Sequence, residues 1–256
     1  MDVQYRGESP AKKFMRVMYW AAVERQLGKL FRSGNFLVIT SQYAGDVSTL
    51  LAMGVSPKNI YGVDIDKHAI AATKLKYPKI QVEQCPFWEA TTAFPSLRNN
   101  LGCAFIDLCA PLRDATLDRL FEFGENVQLL GYEFMCGREK GELNQTVKDN
   151  SAVDTLAAIA RLKVLQTTRR RNQYFRAYQN WHYNSHSAAH IGKPMIVSLG
   201  RLHHSKLVNA NSTSANADWD LVREICLSNP AVAPLWNISK GTMAAWRAHE
   251  TRGTYT

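Results

Sequence analysis

Apolar and polar positions divide the chain into a regular region and two less regular ones. Between residues 34 and 135, short apolar runs alternate with amphipathic stretches, the pattern of strands separated by helices. Strands are predicted at 36–40, 60–64, 80–83, 103–108 and 127–134, and helices at 47–53, 67–76, 88–97, 114–123 and 151–165. Such alternation predicts a parallel sheet with helices on both faces.

The pattern changes on either side of this region. Residues 11–31 predict a preceding helix with an apolar stripe formed by Phe14, Val17, Met18, Ala21 and Ala22. After residue 172, "QYFRAYQNWHYNS" alternates, and "KPMIVSLGRL" is a second strand. No helix of useful length fits between these two strands, so we expect them to pair as an antiparallel, long-looped hairpin.

The C-terminal part is separated by a polar stretch. Residues 205–217, "SKLVNANSTSANA", are typical of a linker. The predicted organisation is a domain at 1–204, a linker at 205–217 and a helical tail at 218–256. In the tail, a short helix at 231–236 is followed by a turn and by a helix that Ser239 caps. Ile238, Met243, Ala244 and Trp246 are expected to pack inward.

Composition narrows the class of protein. The 256 residues are 46% hydrophobic, contain no apolar run long enough to cross a bilayer and begin without a secretion signal. The five cysteines show no C-x-x-C spacing, so buried free thiols in a reducing compartment are expected. Lys and Arg total 31 against 22 acids, a net charge of +9, which favours a polyanionic partner such as nucleic acid. We therefore expect a soluble, cytoplasmic protein.

An acidic residue ends the second predicted strand, in "YGVDID". Asp64 follows Thr40 by 24 residues, close to the spacing of about 20 between a nucleotide-binding loop and the acid that holds the ribose. Gly62 allows close backbone approach at this point. Asp66 is placed to cap the next helix, so both roles are compatible.

With these motifs the chain resembles class I (Rossmann-like) S-adenosylmethionine-dependent methyltransferases. The resemblance covers roughly residues 34–200 and rests on "LVITSQYAGD", "GVDID", "DLCAP" and the terminal hairpin. It implies an α/β fold: a Rossmann-like methyltransferase sheet of five parallel strands plus an antiparallel terminal hairpin, with a small C-terminal helical unit. It also implies S-adenosylmethionine as the cofactor.

The first motif departs from the family's glycine-rich pattern. Thr40, Ser41 and Ala44 are small enough for close approach of a ligand but do not freely adopt positive φ. Gly45 is expected to supply the permissive backbone position, and Asp46 to cap the helix. The loop is interpreted as a variant cofactor site that holds the methionine end, and a degenerate site is the alternative.

The resemblance also assigns the adenosine end and the reacting group. Asp64 would bind the ribose beside Ile65, and Phe87 would stack on adenine, with core packing of Phe87 and Trp88 as the alternative. Asp107 in "DLCAP" matches the first position of the D/N-P-P-Y/F motif of amino-methylating enzymes and would orient an acceptor amine.

Two further groups of residues are candidate chemical sites. Cys109 suggests thiolate attack on a cytosine, but a buried structural cysteine is the better interpretation. His182, His186 and His190 have a helical spacing, but no other ligand completes a zinc set, so exposed loop histidines are expected and no metal is assigned.

Basic residues indicate where a polyanion would bind. Residues 161–176 contain six basic residues and no acid, with Arg169, Arg170 and Arg171 in a predicted turn. The tail resembles a helix-turn-helix unit of the kind found in bacteriophage-encoded proteins, with Lys240, Arg247 and Arg252 facing DNA. A solvated turn and a plain helical cap are the respective alternatives.

The sequence thus predicts a methyltransferase acting on nucleic acid, DNA rather than RNA. A catalytically inactive methyltransferase-like protein that binds nucleic acid or serves in assembly is the main alternative. A methyltransferase acting on a small molecule or a protein is a third. The recognition sequence, the base and the oligomeric state are not determined by these residues.

Overall fold

A computed structural model of the chain describes residues 9–111, 114–125, 127–135, 173–187, 190–204, 222–236 and 238–253. The chain divides into two compact units, Met1–Met135 with Arg176–Leu202, and Cys136–Phe175 with His203–Thr256. The predicted helix at 151–165 and the predicted linker at 205–217 lie outside the described residues. The predicted domain boundaries therefore stay a prediction.

The first unit is built on a seven-stranded sheet. Its strands are β1 (Asn35–Ile39), β2 (Ile60–Asp64), β3 (Gln81–Gln84), β4 (Leu101–Pro111), β5 (Val127–Met135), β6 (Gln173–Ser187) and β7 (His190–His204). The strand order is β3-β2-β1-β4-β5-β7-β6. Strands β1 to β5 pair in parallel, and β7 joins β5 antiparallel, with β6 outside it. The α/β sheet with antiparallel end strands confirms the predicted fold class.

The helices mostly follow their predicted positions. They are α1 (Pro10–Leu27), α2 (Gly45–Ala52), α3 (Lys67–Lys76), α4 (Ala90–Ala93) and α5 (Asp114–Gly124). The helix predicted at 88–97 is wrong. This segment is two 3-10 turns, Phe87–Glu89 and Pro95–Leu97, on either side of the four-residue α4. Phe94 has ψ 84° because the ring of a following proline disfavours helical backbone before it.

The hairpin is real, but its predicted long loop is wrong. Only residues 188 and 189 separate β6 from β7, because both strands extend further than the sequence pattern indicated. His182 and His186 therefore lie in β6 and His190 lies in β7. They belong to extended strands and not to a loop, so the helical spacing considered for a zinc site does not apply. Among the described residues, no cluster of side chains suited to a metal ion is found.

Helix α1 buries a different face from the predicted one. Phe14, Val17 and Met18 are 65%, 54% and 40% exposed. Ala21 is exposed as well, and of the predicted stripe only Ala22 is buried. The face that packs on the sheet and on α2 carries the larger aromatic rings; its apolar members are Met15, Tyr19, Trp20, Ala22, Val23 and Leu27. Burying more apolar area stabilises the fold more, so the aromatic face is the one that is buried.

Tyr19 shows how closely α1 approaches the sheet. Its ring lies against Phe105 with centroids 4.3 Å apart, and its hydroxyl is 3.4 Å from the Cys103 sulfur. A Cβ atom on Gly131 of β5 would fall 1.9 Å from the Tyr19 hydroxyl oxygen. Gly131 is therefore required for this packing. The N-terminal helix is fixed on the sheet rather than appended to it.

In the second unit, the described residues between 222 and 253 are mainly helical. Residues 222–228 form α6, a 3-10 helix spans Pro230–Trp236, and α7 spans Lys240–Gly253. Ser239 Oγ accepts a hydrogen bond from the Thr242 N–H at 3.0 Å, so the predicted cap is confirmed. The helix predicted at 231–236 is a 3-10 helix that contains Pro234. Met243 is buried and Ile238 and Trp246 are partly buried, but Ala244 is exposed, contrary to expectation.

No helix in the described segments is both long and apolar enough to cross a membrane.

Candidate functional site

Three polar residues meet at the carboxyl edge of the central strands. Val38 of β1 pairs with Gly62 of β2 on one side and with Phe105 of β4 on the other. Two residues further along each strand are Thr40, Asp64 and Asp107. The three side chains predicted for the cofactor and the acceptor therefore lie at one level of the sheet, where parallel α/β folds bind ligands.

Thr40 occupies the centre of this edge. It is 3% exposed, and its hydroxyl finds no hydrogen-bond partner among the described residues. Its methyl group lies over Gly62, where an added Cβ would fall 2.4 Å away. Gly62 therefore allows close approach of Thr40 to β2. A buried hydroxyl without a partner is costly, so Thr40 Oγ1 is an atom that a ligand would satisfy.

The loop between β1 and α2 is held by hydrogen bonds of its own and by two from α3. Ser41 Oγ accepts from the Ala44 N–H at 3.3 Å. The Thr73 hydroxyl donates to the Ser41 carbonyl at 3.2 Å, and the Lys76 ammonium donates to the Tyr43 carbonyl at 3.2 Å. Hydrogen bonds within the protein therefore hold the loop in this turn.

The left-handed position in this loop is Ala44, not Gly45. Ala44 has φ 47° and ψ 44° and is the sole non-glycine residue of positive φ among those described. The expectation that Gly45 supplies the permissive position was wrong. A left-handed alanine costs about 1–2 kcal/mol, so the packing of the loop maintains this turn against its local preference.

Asp46 does not cap α2. The cap position is Ala44, which offers no side-chain hydrogen bond. The Asp46 carboxylate instead accepts the indole N–H of Trp20 at 2.8 Å and lies 2.9 Å from Arg16 Nε. Asp46 and Arg16 are 6% and 7% exposed, so this is a buried ion pair that joins α1 to α2. The Asp46 carboxylate therefore stabilises the packing of α1 on α2.

Asp64 retains a half-buried carboxylate at the end of β2. Its Oδ1 accepts the Asp66 N–H at 2.9 Å, and Asp66 caps α3 by accepting from the His68 N–H at 2.8 Å, as predicted. Burial raises the pKa of Asp64, and the charges of Asp66 and Asp107 raise it further. Ile65, next in the chain, is 74% exposed. Asp64 is placed to accept hydrogen bonds from hydroxyl groups, with an apolar side chain beside it.

Phe87 has the position of a core residue. It is 4% exposed and packs edge-on against Trp88 and Phe123, with centroids 5.0 and 5.8 Å away. This position agrees with the alternative interpretation, in which Phe87 packs in the core and does not stack on adenine. Trp88, which is 40% exposed, is the aromatic ring that this segment presents to solvent, with the Arg119 guanidinium 5.9 Å from its ring centre.

Asp107 lies next to a break in the β4–β5 pairing. Asp107 pairs with Glu133, but the next pair is Pro111 with Met135, so β4 carries two extra residues there. Bulges of this kind redirect side chains and are frequent beside active sites. Cys109 lies within this bulge, and its side chain is outside the described residues.

Two charged residues that the sequence analysis missed surround Asp107. Lys12, in the first turn of α1, forms an ion pair with Asp107 and lies 3.7 Å from Glu133 Oε1. Tyr183 of β6 donates a hydrogen bond to the same Glu133 oxygen. The sequence could have indicated Glu133 as a functional residue, since it is the single acid in the apolar strand "VQLLGYEFM". No sequence pattern indicates Lys12, because its role depends on where α1 packs.

The candidate nucleic-acid residues are only partly described. Arg169, Arg170 and Arg171 lie outside the described residues, and so does the side chain of Arg252. Lys240 and Arg247 are exposed on α7. The helix-turn-helix interpretation stays a prediction.

No protein-family model matches the chain, and no curated protein matches it. Among solved structures, TYW2 from P. horikoshii in complex with MeSAdo is similar at 12% identity and TM-score 0.50, over 80% of this chain and 67% of that chain. A putative hemolysin from Lactococcus lactis is similar at 15% identity and TM-score 0.50, over 77% and 89%. A putative sarcosine dimethylglycine methyltransferase from Galdieria sulphuraria aligns at 12% identity and TM-score 0.47, over 73% and 85%. The strand order and the likenesses to TYW2 and to the putative hemolysin show that the chain has a Rossmann-like α/β fold, the fold class predicted from the sequence.

Proposed function

We propose that the protein transfers a methyl group from S-adenosylmethionine to a nucleic acid. The observation that carries this proposal is the alignment of Thr40, Asp64 and Asp107 at the carboxyl edge of β1, β2 and β4. These strands are the centre of a Rossmann-like methyltransferase sheet. The alignment puts Asp64, the proposed ribose-binding acid, and Asp107, the proposed acceptor-orienting acid, at the same edge.

The residues present fit the cofactor at its adenosine end. The Asp64 carboxylate would accept the ribose hydroxyls, and the exposed Ile65 side chain offers apolar surface for adenine. The Thr40 hydroxyl, which has no hydrogen-bond partner among the described residues, would lie against the methionine end. The turn of Ser41 and Ala44 would lie there as well. Asp46 would act there only through the backbone of its turn, because Arg16 and Trp20 occupy its carboxylate. The cofactor, when bound, supplies an electrophilic methyl group on a positively charged sulfur.

Asp107 would orient the acceptor. A carboxylate at the end of β4 can accept a hydrogen bond from an amine and hold its lone pair in line with the methyl carbon. Positioning of this kind supplies most of what an in-line transfer needs. Lys12 balances the charge of Asp107 and fixes its orientation.

The net charge of +9 supports nucleic acid as the acceptor class. Among the described residues, the exposed Lys240 and Arg247 on α7 form the proposed contact. Arg169, Arg170, Arg171 and the Arg252 side chain, which lie outside the described residues, are proposed to add to it. The choice of DNA over RNA rests on the resemblance of the tail to a helix-turn-helix unit.

A second candidate function is a methyltransferase-like protein without activity. It is favoured by the first motif, in which an alanine takes the left-handed position and Asp46 serves the packing of α1. This candidate predicts nucleic-acid binding without cofactor binding.

Calorimetric titration with S-adenosylmethionine separates the two candidates. We expect saturable binding by the wild type and a loss of about 10- to 100-fold in affinity for Asp64→Asn, the equivalent of one or two charge-assisted hydrogen bonds. Asp66→Asn is the matched control, because asparagine caps a helix as well as aspartate does, and its affinity should be unchanged. Absence of any binding heat in the folded wild type would contradict the proposal and leave the inactive alternative.

A further inference from the structure

Lys12, Asp107, Glu133 and Tyr183 form one connected group, which we call the Glu133 cluster. Asp107 and Glu133 are register partners on adjacent parallel strands, so their side chains lie on the same face of the sheet. Lys12 spans the two carboxylates from α1, and Tyr183 reaches Glu133 from β6. Four elements of the fold thus converge on two acids and one lysine.

Glu133 lies at the buried end of this cluster. It is 3% exposed, while the side chain of Asp107 at the outer end is 13% exposed. The titratable groups that face Glu133 are Lys12, Arg16 and Tyr19 on α1, Asp46 on α2, Asp107 on β4 and Tyr183 on β6. Burial and the nearby Asp107 charge raise the pKa of Glu133 to about 8, against the opposing effects of Lys12 and the Tyr183 hydrogen bond.

The surroundings of Glu133 keep bulk water away. A cavity of about 10 Å³, room for about one water molecule, is lined by Glu133, Lys12 and the apolar side chains of Met15, Phe105 and Val197, with Arg16 and Tyr19 completing it. Lys12 and, beyond it, Asp107 connect the buried Glu133 carboxylate to the more exposed end of the cluster. A pair of acids in unequal environments is the usual arrangement for separating two proton-transfer roles.

We propose that the Glu133 cluster is a proton relay, in which Glu133 takes up the proton that an acceptor amine releases on methylation, by way of Asp107 and Lys12. This inference rests on the proposed function and deepens it. It takes an amine as the acceptor, as Asp107 in the proposed function does, and this amine must lose a proton after it gains the methyl group. Tyr183 is a positioning residue that holds Glu133 Oε1 toward Lys12.

The relay balances in protons and electrons. The amine lone pair forms the new N–C bond, and the electron pair of the broken S–C bond stays on sulfur. The methylated nitrogen then carries a positive charge and passes one proton to the Asp107 carboxylate. Lys12 gives an ammonium proton to the Glu133 carboxylate and regains one from Asp107, so both return to their starting states.

One distance must shorten for the relay to work. Lys12 Nζ is 3.7 Å from Glu133 Oε1, an ion-pair distance rather than a hydrogen bond. Such contacts are often long before substrate binds and tighten in the reacting complex. A rotation of the lysine side chain between its two carboxylate partners is sufficient.

The first test needs neither cofactor nor acceptor. Glutamate side chains labelled with carbon-13 at the carboxyl carbon are followed by NMR as a function of pH in the full chain. We expect one carboxyl resonance to titrate near pH 8, to be missing in Glu133→Gln and to persist in the exposed control Glu122→Gln. In Tyr183→Phe it should titrate at higher pH, because the hydrogen bond that lowers the pKa of Glu133 is lost. If no glutamate titrates near pH 8, the relay is wrong.

The second test measures methyl transfer. The probes are bacterial genomic DNA and total RNA with tritiated S-adenosylmethionine, over a range of pH. We expect the wild-type rate to rise as Glu133 loses its proton, Glu133→Gln to be slower by about 10²-fold without that rise, and Tyr183→Phe to show the rise at higher pH. A Glu133→Gln variant with an unchanged rate and pH profile overturns the relay alone. Absence of methyl transfer by the wild type on every acceptor overturns the proposed function, and the relay with it.

Discussion

Trp20 on the N-terminal helix donates its indole N–H to Asp46 on α2 across 2.8 Å, inside the core. The Arg16 guanidinium shares the same carboxylate oxygen at 2.9 Å. The contact connects the helix that carries Lys12 to the helix that follows the candidate cofactor loop. The stability of the fold and the geometry of the site therefore depend on one buried carboxylate.

Trp20→Phe should lower the free energy of unfolding by about 1.5–3 kcal/mol, because it removes one charge-assisted hydrogen bond and leaves Asp46 buried with fewer donors. Urea unfolding followed by circular dichroism measures this change. Trp88→Phe, at a 40% exposed position, is the control and should stay within about 0.5 kcal/mol of wild type. Equal changes in the free energy of unfolding for the two substitutions would show that the hydrogen bond to Asp46 does not stabilise the fold.

Ala44→Gly should leave the free energy of unfolding unchanged or raise it by up to about 1 kcal/mol. Glycine relieves the left-handed strain at φ 47°, and this gain exceeds the entropy that glycine loses on folding. Ala71→Gly, at an exposed interior position of α3, is the matched control and should cost about 1 kcal/mol. A loss at Ala44→Gly as large as that at Ala71→Gly would contradict a strained turn.

Asp107→Asn should abolish methyl transfer while leaving the affinity for S-adenosylmethionine largely intact, since it removes the charge that orients the acceptor. Calorimetry and tritium transfer separate the two effects. Cys109→Ser should retain activity if the acceptor is an exocyclic amine. Loss of activity in Cys109→Ser, with a covalent nucleic-acid adduct trapped on the wild type, would exchange the roles of the two residues.

Stability should depend on pH through Glu133. Its pKa is raised in the folded state from an ordinary 4.5 to about 8, so the native state binds the extra proton between these values. The free energy of unfolding contributed by Glu133 should therefore be highest below pH 4.5, fall as the pH rises toward 8 and level off above it. The difference in melting temperature between wild type and Glu133→Gln, recorded from pH 5 to pH 9, isolates this effect from the histidines. A difference that does not change with pH would refute the raised pKa.

If α7 contacts DNA, Lys240→Ala and Arg247→Ala should each reduce the slope of duplex binding against salt by about 0.9. Fluorescence anisotropy with labelled duplex DNA at several salt concentrations measures the slope, and Lys29→Ala, on an exposed turn after α1, is the control. The same titration with duplex RNA tests the preference for DNA. If the salt slope of duplex binding is unchanged in both α7 variants, α7 is not the surface that contacts DNA.

The sequence by itself determined the elements whose signals are local. β2 at 60–64 and α3 at 67–76 have the predicted bounds, because an apolar run and a capping Asp66 mark them directly. The alternation of strands and helices also predicted the parallel sheet, but the strand order that puts Thr40, Asp64 and Asp107 in one row came from the structure.

Only the tertiary structure decided the contacts between distant segments. The apolar stripe predicted on α1 is mostly exposed, and the aromatic face packs against Phe105 and Gly131 instead. The same packing drew Asp46 away from the helix cap. It also placed Lys12 between Asp107 and Glu133, which lie 95 and 121 positions away in the chain. Such relationships have no local pattern, because they arise when the core excludes water from whichever face buries the most apolar area.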